Sequence, residues 1–166
     1  MSECRAPIAS RAGCTTPPSR PGSAGVAESA VDPAYRVVVT GAVERELSLT
    51  LDQIAVLPQT TARLPIACVE GWSAVASWTG VALRDLVSAA GGPAGARVRV
   101  VSLQEGGSYN ESMVDTPHVS DPLTLLATAI NGETLHVDHG YPCRLIAPNR
   151  PGVLQTKWVT RVEVLA

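Results

Sequence analysis

Leu64-Pro65-Ile66-Ala67-Cys68-Val69-Glu70-Gly71-Trp72-Ser73 is the segment from which the fold is read. Residues 60–69 have strand character, and the strand delivers Cys68 close to its end, where Gly71 opens a loop. A sulfur so placed stands at a sheet edge or in a cleft. Taken alone it decides little, because a single cysteine after an apolar strand usually packs as a small buried hydrophobe.

The flanks supply the frame. Tyr35-Arg36-Val37-Val38-Val39-Thr40-Gly41 is a β-branched run ended by glycine and reads as a strand, with Glu46-Leu47-Ser48-Leu49 as its neighbour. Thr50-Leu51-Asp52-Gln53 has the Thr-x-x-Gln form of a capping box and opens a short helix through Leu57, which Pro58 closes. Residues 81–90 place Leu83, Leu86 and Val87 at helical spacing before Gly91-Gly92-Pro93 stops them. Ala96-Arg97-Val98-Arg99-Val100-Val101 alternates as a strand. Residues 119–126 read as a short helix or turn around Pro122, and Asn131-Gly132 marks a hairpin turn. Cys143-Arg144-Leu145-Ile146-Ala147 and residues 158–165 are the closing strands. Strands dominate and the helices are short, so the fold class is α+β, a mixed, mostly-β domain.

Composition bounds the function. The 166 residues suffice for one core, and with 45% hydrophobic residues but no Phe that core is built from Val, Leu, Ile and Ala. A net charge of -2 excludes a nucleic-acid footprint. No apolar run approaches the roughly 18 residues of a transmembrane segment. Residues 1–34, rich in Ser, Pro, Gly, Ala and Arg, read as a disordered tail or linker, leaving 35–166 as the domain. The tail lacks the apolar core of a secretory signal, and Arg11-Ala12-Gly13-Cys14 has Arg where a lipoprotein cleavage site wants an aliphatic residue. Cys4, Cys14, Cys68 and Cys143 form no CxxC pair and have no zinc-ligand spacing. A domain so rich in Val and Leu needs no staples, and a Cys68–Cys143 disulfide is not expected.

Cys68-Val69-Glu70-x-Trp72-Ser73, followed by a Trp-x-Gly turn at Trp78-Thr79-Gly80-Val81 and the helix with Leu83-Arg84-Asp85-Leu86, resembles the molybdopterin-binding oxidoreductase domain of the sulfite-oxidase superfamily. The nearest likeness is to the bacterial branch that includes the periplasmic methionine-sulfoxide reductase catalytic subunit. It covers about residues 35–166. The resemblance implies a sulfite-oxidase-type fold with Cys68 as catalytic residue and direct ligand to the molybdenum of a molybdenum-molybdopterin cofactor. Soft thiolate suits such a redox centre, and coordination keeps the sulfur deprotonated. Glu70 either orients the loop or lies outside the pocket. Trp72 and Trp78 read as apolar cover.

A second segment carries the same likeness: Asp138-His139-Gly140-Tyr141-Pro142-Cys143-Arg144-Leu145-Ile146-Ala147-Pro148, continuing through Gly152-Val153-Leu154-Gln155-Thr156-Lys157-Trp158. In the family the matching residues bind the pterin and its terminal phosphate. From the residues themselves two readings of Arg144 and Lys157 stand open: a guanidinium fork and a point charge for phosphate, or a snorkelling strand residue and a solvated edge charge. The resemblance selects the first and adds His139, Gln155 and Thr156. His139 follows the sulfite-oxidase side, since the reductase branch has Asn there. Ser102 is a further candidate for touching the pterin. In the loop Gly106-Gly107-Ser108-Tyr109-Asn110-Glu111-Ser112, the resemblance makes Tyr109 a catalytic candidate facing the metal, the alternative being a solvent-facing loop residue. His118 and His136 read as loop or surface residues.

Three departures shape the functional expectation. Sulfite oxidases follow the ligand cysteine with a basic stretch that helps hold anionic sulfite, whereas this chain has Glu70-Gly71-Trp72. The sulfite oxidases' immunoglobulin-like domain is not expected, since no sequence is left for it after Ala166, and the family's upstream Asn- and Phe-rich pterin-contacting segment is not recognisable in residues 1–34. The resemblance implies two-electron oxygen-atom transfer on a small substrate, S-oxide reductase-like rather than sulfite-oxidising. An electron-transfer partner such as a membrane cytochrome is implied too, because no CxxCH or GxGxxG motif is present. The alternative is a non-catalytic module that keeps the fold and binds the cofactor or a partner. The family's relatives are exported, so the compartment stays open.

Overall fold

The valine runs build the first sheet. In the computed structural model, which describes residues 26, 30–67, 71 and 73–166, β1 (Val37–Gly41) lies parallel to β10 (Val159–Leu165), Val38 opposite Arg161. β2 (Leu47–Leu49) flanks β1, while β5 (Arg97–Ser102) and β6 (Glu111–Val114) extend the sheet beyond β10, giving the order β2-β1-β10-β5-β6. Side chains alternate across a strand, so Val37, Val39, Val98, Val100, Val162 and Val164 all enter the core. The opposite face is polar: Arg99 Nε donates to Glu163 Oε2 at 2.7 Å. Over the apolar face lie α1 (Leu51–Val56), α2 (Leu83–Ala89) and α3 (Thr116–Ser120), contributing Ile54, Leu83, Leu86, Val87 and Val119 to the same cluster. The capping box ahead of α1 is formed: Gln53 N donates to Thr50 Oγ1 at 3.1 Å and Thr50 N to Gln53 Oε1 at 2.9 Å.

A second sheet runs β3 (Gln59–Ala67), β4 (Ser73–Ala82), β7 (Leu125–Ile130), β8 (Glu133–Thr134), with β9 (Arg144–Ile146) also paired to β7. β3 and β4 form a long hairpin in register from Gln59 opposite Val81 to Ala67 opposite Ser73. The short connection beyond that last pair contains Cys68. Cys68, Val69, Glu70 and Trp72 lie outside the described residues, as does most of the expected tail. Val26 and Ala30, from that tail, are helical and buried.

Sulfite-oxidase-type expectations of a mostly-β, mixed domain agree with this architecture, but some elements differ. Trp78-Thr79-Gly80 is not a turn. It lies within β4, where Gly80 sits against the backbone of Leu126 and Ala127, so closely that a Cβ would collide with the Leu126 carbonyl. The helix expected over 81–90 starts at Leu83, because Val81 and Ala82 still pair with β7. Of the helix or turn expected over 119–126, the turn is present around Pro122, where Thr124 N donates to Asp121 O at 3.1 Å; the helix lies earlier, at Thr116–Ser120, with Pro117 in its first turn, and Leu125–Ile130 is a strand. His118 is therefore helical rather than in a loop. Cys143 is a free, buried thiol.

β9 is the joint between the two halves. Its three residues are all buried, and alternation splits them: Leu145, with Cys143 before it, joins the core of the first sheet, while Ile146 joins that of the second. Arg144 shares the face of Ile146, and its guanidinium is thereby turned into the second core, over Trp78.

Candidate cofactor site

The candidate binding residues sit on two irregular segments that flank β9. The first is a 3₁₀ turn, Val137–His139, whose start is capped by His136 Nδ1 accepting from Asp138 N at 3.2 Å and whose end is Gly140 at φ +111°. The second is a 3₁₀ turn, Gly152–Leu154, running on through Gln155, Thr156 and Lys157 into β10. A cis Tyr141–Pro142 bond leads the first segment into β9.

Arg144 ties the two segments together. Its Nη1 donates to His139 O at 2.9 Å and its Nη2 to Gln155 O at 3.1 Å, while the guanidinium carbon lies 5.5 Å from the Trp78 ring centroid. Trp78 is held in turn by its indole N–H, which donates to Leu64 O at 3.3 Å. The Arg144 side chain is 3% exposed, and among the described residues no carboxylate pairs with it. Its Nε is buried without a hydrogen-bond partner. Burial pulls Arg144 down to about 10, still charged at neutral pH. This buried cation is met by two carbonyl dipoles and the face of Trp78, with no counter-charge among the described residues.

Around it the other groups converge. Gly140 separates the side chains of Arg144 and Lys157: a Cβ there would stand 2.8 Å from Arg144 Cβ and 3.3 Å from Lys157 Cβ. Lys157 Nζ donates to Asp138 O at 2.7 Å, beside His139. Gln155 is buried and gives its Nε2 to Arg150 O at 2.8 Å, leaving Oε1 buried without a partner. Thr156 Oγ1 bonds Ser112 Oγ at 2.8 Å, and its carbonyl accepts from Leu145 N. The structure thus brings His139, Arg144, Gln155, Thr156 and Lys157 into one cradle. Ser102 is nearby at the end of β5, opposite Val159, where its hydroxyl accepts from Gln104 N at 3.0 Å. Tyr109 stands apart, 54% exposed in the loop between β5 and β6. Cys68 lies outside the described residues. Among those described, no three His, Cys, Asp or Glu residues are grouped to hold a metal.

The residues missed from sequence are those that brace the cradle. Ser112 lies in a strand that was not expected. Arg150, whose Nη2 donates to Met113 O at 2.9 Å, sits in a loop with no periodicity to flag it. Trp158, read as the end of the second segment and the start of a strand but not as a brace, carries φ +54°, which no composition rule anticipates.

Residues 24–166 match the model of the oxidoreductase molybdopterin binding domain. The chain belongs to that family. Among relatives of this molybdopterin-binding domain are the NADH nitrate reductase of Ulva prolifera (30% identical, 79% of this chain, 19% of that protein) and the protein-methionine-sulfoxide reductase catalytic subunit of Gluconobacter oxydans (32%, 79% of this chain, 47% of that protein). The sulfite oxidase of Arabidopsis thaliana is 30% identical over 80% of this chain and 42% of its own length. The sulfane dehydrogenase SoxCD from Paracoccus pantotrophus superposes with a TM-score of 0.71 at 28% identity, over 79% of this chain and 38% of that one. The domain therefore spans less than half the length of each of these relatives. The described residues include no helix long and apolar enough to cross a membrane.

Proposed function

We propose that this domain holds a molybdenum-pterin cofactor and uses it for two-electron oxygen-atom transfer on a small substrate, in the manner of an S-oxide reductase. The observation that carries the reading is Arg144: a charged guanidinium, buried, without a carboxylate among the described residues, its Nε without a hydrogen-bond partner, in a molybdopterin-binding domain. The donor set fits the group. Arg144, Lys157 and His139 would hold the pterin's phosphate end, and the buried Gln155 Oε1 is an acceptor suited to a ring N–H. Thr156 and Ser102 offer hydroxyls at the rim, and Cys68 supplies the thiolate that ligates the metal.

When bound, the molybdenum centre supplies the two-electron change that accompanies oxygen-atom transfer. The chain's own residues bind and orient. Arg144 charge-matches the anion from inside the fold, where water does not compete. Trp78 closes the far face of the guanidinium. The Glu70-Gly71-Trp72 stretch beside Cys68 adds no basic residue for an anionic substrate, which favours a neutral S-oxide over sulfite. A likeness to a protein-methionine-sulfoxide reductase catalytic subunit supports the same choice. Turnover requires an electron-transfer partner, and a membrane cytochrome fits that role. Residues 1–23, ahead of the matched domain, would then be a linker.

The test is direct. Protein purified from a pterin-competent host is assayed for molybdenum and released pterin, then for reduction of a methionine sulfoxide by a dithionite-reduced dye. Near-stoichiometric metal and pterin with sulfoxide turnover are expected. Absence of both metal and pterin overturns the proposal in favour of a non-catalytic module.

A further inference from the structure

We propose that Trp158 is the positioning residue of this site, a clamp that fixes the spacing of the anion-binding groups before any ligand arrives. The inference rests on the reading that His139, Arg144 and Lys157 hold the pterin's phosphate end.

Trp158 directly follows the segment that carries Gln155, Thr156 and Lys157, and it bonds to the other two places that carry candidate residues: twice to the His139 turn and once to the end of β5. Its indole Nε1 donates to Val137 O at 2.6 Å, inside the turn that presents His139. Its backbone N–H donates to Gly140 O at 3.3 Å, at the close approach between Arg144 and Lys157. Its carbonyl accepts from Leu103 N at 2.7 Å, next to Ser102. The ring lies 5.5 Å from Lys157 Nζ, a cation-π distance that holds the ammonium over the same turn to which it donates through Asp138 O.

The backbone says the same. At φ +54° Trp158 occupies the left-handed region, where bulky residues are rare. That kink ends the irregular segment and starts β10, because Val159 N already bonds Cys143 O at 2.9 Å. Lys157 and Val159 thereby face different environments: Lys157 the cradle, Val159 the core. A strained bulky residue persists when its surroundings over-determine it, and such strain gathers at binding sites. Glycine would adopt this backbone freely but could neither donate to Val137 O nor stack on Lys157.

The experiment compares wild type with Trp158→Phe and Trp158→Leu, using the full chain made with and without pterin supply. Phe keeps a ring for Lys157 and loses the indole donor; Leu loses both. Amide hydrogen exchange is read on the peptide covering residues 136–141, where the His139, Gly140 and Tyr141 amides are bonded within the turn. In the pterin-free chain, exchange there is expected to rise about fivefold for Trp158→Phe, the equivalent of one ordinary hydrogen bond, and further for Trp158→Leu. β10 beyond residue 160 should stay protected. In the pterin-supplied chain, retained pterin should fall in the order wild type, Phe, Leu. Unchanged exchange over 136–141 overturns the clamp whatever happens to pterin. A uniform rise across β10 and β5 also overturns it, showing general destabilisation. Raised exchange confined to the turn with pterin content unchanged overturns the positioning role. A wild type that takes up no pterin defeats the proposed function instead, while the exchange arm still reports on the clamp.

Discussion

Replacing Arg144 by Met tests the central physical idea, that the guanidinium adds no net stability to the fold until an anion binds it. Burial lowers the group from 12.5 to about 10, and each tenfold change in proton affinity is about 1.4 kcal/mol. Keeping the charge inside the ligand-free fold therefore costs roughly 3 kcal/mol. Against this stand the two bonds to His139 O and Gln155 O, worth about 1.5 kcal/mol each for a charged donor. Met fills most of the volume over Trp78 without charge. The two effects offset, so ligand-free Arg144→Met should melt within about 4 °C of wild type, given about 2–4 °C per kcal/mol for a domain of this size. Ordinary truncation of a large buried side chain costs about 2–5 kcal/mol and would lower the midpoint much further. The assay is thermal denaturation of protein made in a host unable to synthesise the pterin, with and without inorganic phosphate, beside pterin content from a competent host. Phosphate should raise the wild-type midpoint and leave Arg144→Met unmoved, and the variant should lose most of its pterin. A fall of about 10 °C or more without ligand, equivalent to some 3 kcal/mol or above, would show that Arg144 is a satisfied structural residue and refute the reasoning.

Other outcomes follow from the same geometry. Gly140→Ala forces a Cβ between Arg144 and Lys157 at φ +111°, and should cost about 1–3 kcal/mol by chemical denaturation while lowering pterin content. Burial pushes the Cys143 thiol up to about 12 from 9.0. The unfolded chain then loses this proton first, and stability present below pH 9 should decline as pH rises toward 12. Cys143→Ala should flatten that decline, and a denaturation series over this range shows whether it does. Cys68→Ser should abolish molybdenum retention and sulfoxide reduction with the far-ultraviolet circular dichroism unchanged; full activity would mean that the metal ligand has been misassigned.

What could be read from sequence depended on whether the signal was local. The capping box at Thr50–Gln53 and the valine alternation of β1, β5 and β10 are local, and they appear as expected. β4 was misread because Gly80 looks like a turn residue, whereas its purpose is to let the Leu126 backbone approach, a constraint set by a strand more than forty residues away. β7 was hidden for a similar reason: Leu125-Leu126-Ala127 favours helix by propensity and becomes strand because β4 and β9 flank it on both sides. At the site, the types of Arg144 and Lys157 were legible. The burial of Arg144 was not, since it follows from β9 being covered on both faces.

The parallel pairing of β1 with β10 bears on how the protein is made. A ribosome delivers β1, β2, β5 and β6 well before residues 159–165, yet the strand that joins them is the last of the set to emerge. Until then the first sheet is two separate pieces, and the left-handed bend at Trp158 has no strand to lead into. Contacts between such distant parts of a chain form slowly. A nascent chain stalled before residue 159 should therefore be open to protease and unable to take up pterin, which places cofactor loading after synthesis of this domain.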